Sequence, residues 1–124
     1  MSLDVKQKNN LMTGVKLAIE LDSSASKLRK FLTIQGYCYD EEGHYKSLSK
    51  VIKNGLESDI IFEIRCYEIP IEYFQNNWDI VDDELINDVR IDNVKGFDSL
   101  EKNLQVFLND LRGLKPEWHC ENLL

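Results

Sequence analysis

The chain lacks any long hydrophobic run: its uncharged apolar stretches are only a few residues, against the roughly 20 residues that cross a bilayer as a helix. Its start, Met1-Ser2-Leu3-Asp4-Val5-Lys6, carries no apolar block of the kind that defines a secretory signal. The expectation is a chain that is neither exported nor membrane-anchored. Cysteine is scarce and oddly numbered. Cys38, Cys66 and Cys120 leave one thiol over under any intramolecular pairing, and no two have the close spacing of a zinc knuckle or a redox pair. Reduced thiols in a cytoplasm are therefore expected. Glycine-rich nucleotide loops, P-loops and His-Glu-x-x-His are all absent, and the six glycines read as element ends. No cofactor or metal is expected from motifs.

Positive charge is also short, at 15 Lys/Arg against 22 Asp/Glu, a net −7 over 124 residues. The deficit is unevenly placed. Residues 1–56 hold nine cations against six carboxylates, whereas residues 57–124 hold six against sixteen, so the halves carry +3 and −10. A predominantly acidic surface repels phosphate backbones, which need clustered Lys/Arg, and this argues against DNA or RNA as a direct ligand. It favours a basic partner. A hydrophobic content of 43% with two tryptophans is that of a folded domain rather than a disordered chain.

Periodicity gives an α+β expectation: one domain over residues 14–124, with about three helices on a mainly antiparallel or mixed sheet of three to five strands, behind a loose polar leader over 1–13. Val15, Leu17, Ile19 and Leu21 alternate with Lys16, Ala18, Glu20 and Asp22 as a half-buried strand does. Ser23 or Ser24 then caps a helix with Ala25, Leu28, Phe31 and Leu32 on one face and Lys27, Arg29 and Lys30 on the other, ending at Gly36. A second helix is read from Tyr45, Leu48, Val51 and Ile52, ending at Asn54-Gly55. Asp59–Tyr67 reads as the central strand, with Pro70 after it and Ile71–Phe74 as an edge continuation. Residues 78–94 fit either period, and a strand from about Ile86 to Asn93 is preferred. The last helix has Asp98 and Glu101 as a capping pair, a stripe of Leu100, Leu104, Phe107, Leu108 and Leu111, and Gly113 at its end.

Two constellations carry the functional argument. The acidic run from Trp78 through Asp79, Asp82, Asp83 and Glu84, extended by Asp88 and Asp92, follows Tyr67, Tyr73 and Phe74. Aromatic anchors in an acidic rim suit a protein interface, the rings supplying affinity and the carboxylates steering a basic partner. An EF-hand is excluded, because counting from Asp79 places Glu84 at the glycine position and Arg90 at the position of the bidentate glutamate. The competing reading is that Tyr67, Phe74 and Trp78 are core packing and the acids a solvated surface.

The second constellation is His44 after Asp40-Glu41-Glu42-Gly43, an acid/base or metal site if the carboxylates converge on the imidazole. Acids ahead of a helix also simply complement its dipole. His119-Cys120 supplies only two ligands, and a cysteine nucleophile would need a histidine beside it in space. Lys27, Arg29 and Lys30 with Lys46, Lys50 and Lys53 form a basic counterpart that could meet the acidic half in a homo-oligomer. The expectation adopted is a small protein-binding module, most concretely an immunity-type inhibitor. It would occlude the cationic site of a basic toxin or nuclease through residues 67–92, with Tyr73, Trp78, Asp79, Asp82, Asp83, Glu84 and Asp88 at the contact. A dimeric chaperone or adaptor, and a small hydrolase or metal-dependent enzyme built on His44, are the alternatives.

Overall fold

A computed structural model of the protein describes residues 2–38 and 60–120. Five antiparallel strands form one sheet in the order β4-β3-β2-β1-β5: β1 (Leu17–Leu21), β2 (Leu28–Tyr37), β3 (Ile61–Pro70), β4 (Ile86–Lys95) and β5 (Lys115–Pro116). Three α-helices lie among the described residues: α1 (Val5–Met12), α2 (Ile71–Gln75) and α3 (Phe97–Leu104). The α+β class, a single small chain on an antiparallel sheet, is as expected. No described helix is long and apolar enough to cross a membrane.

The pleat sends alternate side chains to two cores. On one face Leu17, Leu32, Ile34, Phe62, Ile64, Cys66 and Val94 meet Leu3 ahead of α1, Leu11 within it, and Leu100 and Leu104 of α3. On the other, Phe31, Tyr67 and Ile69 are covered by Tyr73, Phe74, Ile80 and Leu85. Because the middle of β2 is buried on both sides, Phe31-Leu32-Thr33-Ile34 forms an unbroken buried run. That run corrects the helix expected after Ser24. A doubly covered strand places apolar residues at i, i+3 and i+4 as readily as a helix does. Gly36, expected to stop that helix, is a strand glycine instead: a Cβ there would stand 3.3 Å from both the Leu11 carbonyl oxygen and the Phe62 ring.

The leader expected over residues 1–13 is corrected too, since it contains α1 with Leu3 and Leu11 buried. Asp4 Oδ1 accepts from the Gln7 amide at 2.7 Å and Gln7 Oε1 accepts from the Asp4 amide at 2.9 Å, a complete capping box. Buried Gln7 also donates through Nε2 to the carbonyls of Leu111 and Leu114, at 2.7 and 3.0 Å. A polar residue entered the core because every group it brought was satisfied.

Ile71–Phe74 is not an edge strand but lies in α2, since Pro70 ends the ladder and its fixed φ suits a helix start. β4 runs two residues beyond the expected Asn93 and bulges twice. The register shifts fall opposite Glu63 and Tyr67, and Asn93 (φ 59°) and Asn87 (φ 52°) supply the left-handed backbone there. α3 is shorter than the expected helix and is capped by Gly96 rather than Asp98. Past Leu104 the chain turns. Asn103 bonds its amide to the Ser99 carbonyl and Asp110 accepts from the Arg112 amide, local bonds that compete with helix propagation. Leu108, Leu111 and Leu114 are still buried. The helix expected over Tyr45–Ile52 lies outside the described residues.

Candidate functional site

α2 ends in a Schellman motif. Asn77, at φ 52°, donates its N–H to the Phe74 carbonyl, and Trp78 donates its N–H to that of Tyr73 at 2.9 Å. That geometry folds Trp78 back on the residue five positions earlier. Its ring meets Tyr73 edge-on, centroids 5.5 Å apart at 89°. Trp78 keeps 48% of its surface exposed. The Tyr73 hydroxyl donates to Glu84, whose carboxylate also accepts from the Val81 amide at 3.3 Å. That bond to Glu84 raises the Tyr73 phenol above its usual value.

The next residues are pulled onto the sheet. Ile80 is buried in the second core, and the 3-10 turn Asp82–Glu84 places Asp82 between two arginines. Asp82 lies 3.2 Å from Arg65 and 3.4 Å from Arg90; Asp88 lies 3.1 Å from Arg65 and 3.8 Å from Arg90. Arg65 also lies over the Tyr67 ring, 5.3 Å from its centroid. Its bond to Asp88 raises the Arg65 value and holds the Asp88 carboxyl below its ordinary range, against the opposing effect of burial.

The seven expected contact residues thus separate into groups. Tyr73, Trp78 and Glu84 form one assembly. Asp82 and Asp88 are committed to Arg65 and Arg90, so their charge is neutralised on the protein itself. Asp79 and Asp83 are exposed and make no ion pair with described residues. Tyr67 and Phe74, also weighed as anchors, pack with Phe31 in the second core.

Of the basic patch, Lys27 is in a turn while Arg29 and Lys30 are in β2, not on a helix. Arg29 is bidentate to Glu20, at 2.8 and 2.6 Å, and stacks 4.3 Å from the Phe74 ring centroid. Lys46, Lys50 and Lys53, like His44 and Asp40, lie outside the described residues. His119 is exposed beside Trp118. No three described His, Cys, Asp or Glu residues are grouped to hold a metal ion.

Glu68, beside Tyr67 in β3, is a buried carboxylate. It is 2% exposed and accepts from the Ser24 amide at 2.8 Å, the Ser24 hydroxyl at 2.9 Å and Asn87 Nδ2 at 2.7 Å. Burial pushes its carboxyl up, but these donors and the nearby Lys30 prevail and hold it below the usual value. Its acceptors are committed to tying the β1–β2 turn to the first β4 bulge, which makes it a structural charge. The residue signalling this was Asn87, whose bulge nothing in the period of the sequence announces. No family model, curated protein or solved structure matches the chain.

Proposed function

We propose that the protein is a binding module whose contact surface centres on Trp78, Tyr73 and the two uncommitted carboxylates Asp79 and Asp83. The observation that carries this reading is the half-exposed Trp78, fixed by the Schellman turn and by the edge of Tyr73 rather than left mobile. A rigid exposed aromatic contributes binding area at small entropic cost. Beside it, Asp79 and Asp83 complement a cationic partner and speed its approach. The concrete form is an immunity-type inhibitor, acting in the cytoplasm, whose carboxylates take the place of phosphates in the basic groove of a nuclease or other toxin. Asp82 and Asp88 fall out of the contact, because a partner's cations would have to displace Arg65 and Arg90. The dimeric alternative gains less support: β4 is an edge strand among the described residues, and bulges at Asn87 and Asn93 hinder edge-to-edge pairing.

The test uses the protein as immobilised bait for a lysate of its native host, in parallel with Trp78→Ala and with the double variant Asp79→Asn/Asp83→Asn. A basic protein should be retained at low salt by the wild type, lost by Trp78→Ala, and held by the double variant with a flatter salt dependence. Equal retention by all three baits would remove this surface from consideration.

A further inference from the structure

We infer a nucleotide site in the cleft where α1, the 111–116 segment and the 3-10 turn Glu117–His119 meet. The fold brings Lys6 of α1 together there with Arg112 and Lys115 from the far end of the sequence, and with Trp118 and His119, around a volume of about 440 Å³. That volume lies within the range of small-molecule sites, roughly 300–1,000 Å³. On a chain of net −7, this concentration of positive charge runs against the overall field. The site shares no residue with the Trp78 surface, so it stands or falls independently of the protein-binding reading.

Two of the three cations are uncommitted among the described residues. Lys6 and Lys115 are exposed and form no salt bridge among the described residues. Arg112 commits Nε and Nη2 to Asp110, at 2.8 and 2.6 Å, and keeps Nη1 for another acceptor. The opposing carboxylate in the lining, Asp4, is turned to the start of α1, where it accepts from the Gln7 amide. Gln7 holds the walls together through its two bonds to the Leu111 and Leu114 carbonyls.

An anion alone would not use the remaining wall. Trp118 is 69% exposed, and its ring lies 6.0 Å from that of His119. Exposed aromatic faces beside cations are how proteins hold a planar base and its phosphate together, by stacking and by charge-assisted hydrogen bonds. The ligand class is therefore a free nucleotide, with phosphates at Lys6, Lys115 and Arg112 and the base against Trp118.

ADP, adenosine and inorganic phosphate are the probes, titrated into the full chain at low salt. Trp118 emission is followed in a Trp78→Phe background, with calorimetry for a Trp118→Ala variant. ADP should quench saturably, while adenosine and inorganic phosphate should each bind at least about tenfold more weakly. The double variant Lys6→Gln/Lys115→Gln and Trp118→Ala should each lose at least about tenfold in ADP affinity, with unchanged melting since all three residues are exposed. Inorganic phosphate matching ADP would mean an adventitious anion site, and adenosine matching ADP a stacking surface only. Either result, an absence of saturation, or unaltered ADP affinity in the variants overturns the assignment.

Discussion

Arg65 and Arg90 stand directly opposite each other across β3 and β4, a like-charge pair that the sheet would not tolerate bare. Asp82 and Asp88 each lie within 4 Å of both guanidinium groups. The four charges cancel, and the pairing fastens the 78–85 segment to the sheet beneath it. The exposed Trp78 surface therefore rests on an ionic support.

Neutralising the support should cost unequal amounts. Asp88, with a quarter of its side chain exposed, is bidentate to Arg65, and Asp88→Asn should lower stability by about 1 kcal/mol. Asp82 is 60% exposed, so solvent screens it and Asp82→Asn should cost under about 0.5 kcal/mol. Urea unfolding at low and high salt measures both. Equal costs, or an Asp88→Asn effect that survives in an Arg65→Gln background, would contradict the arrangement.

Glu68 gives the molecule an acid-sensitive joint. Its folded value lies below the usual 4.5, so the folded state takes up this proton only at lower pH than the unfolded chain does. Its contribution is complete above the unfolded value and is lost as the pH falls through the folded one. Glu68→Gln should therefore cost about 1–3 kcal/mol at neutral pH, since the donors of Ser24 and Asn87 lose the buried ionic acceptor they share. The gap between wild type and variant should narrow below about pH 4.5. A gap that widens on acidification would reverse the sign and refute the account.

α1 should behave as core and not as a tail. Leu11 is wholly buried, and Leu11→Ala should cost about 3 kcal/mol. Gln7→Ala should cost about 2 kcal/mol by stranding two carbonyls and opening the capping box. Chemical denaturation of both variants decides it; losses within about 0.5 kcal/mol, the range of surface changes, would restore the loose leader.

What could be read from the sequence follows from how local each signal is. Half-buried β1 and the alternating part of β3 announced themselves, because one wet face keeps the period of two intact. β2 did not, since burial on both faces erases the alternation and leaves the Leu28, Phe31, Leu32 spacing of a helix. Hydrophilic Lys6–Asn10 concealed a helix whose signals, Asp4 and Gln7, were present but outweighed by polarity. The acidic cluster was legible as a cluster. Its division into committed and uncommitted carboxylates depended on Arg65, thirteen residues before Trp78 and brought to Asp82 and Asp88 only by the β3–β4 register.

The last prediction separates two roles for Trp78. If its ring serves a partner, the protein does not need it to fold: Trp78→Ala should cost under about 1 kcal/mol, because half the ring is already in water and Tyr73 keeps its bond to Glu84. Two residues on, Ile80 is buried in the second core, and Ile80→Ala should cost about 2–4 kcal/mol. The comparison is made by denaturant unfolding of the two variants side by side. A Trp78→Ala loss as large as that of Ile80→Ala would make the ring a packing element, and the aromatic centre of the contact surface would then have to be sought elsewhere.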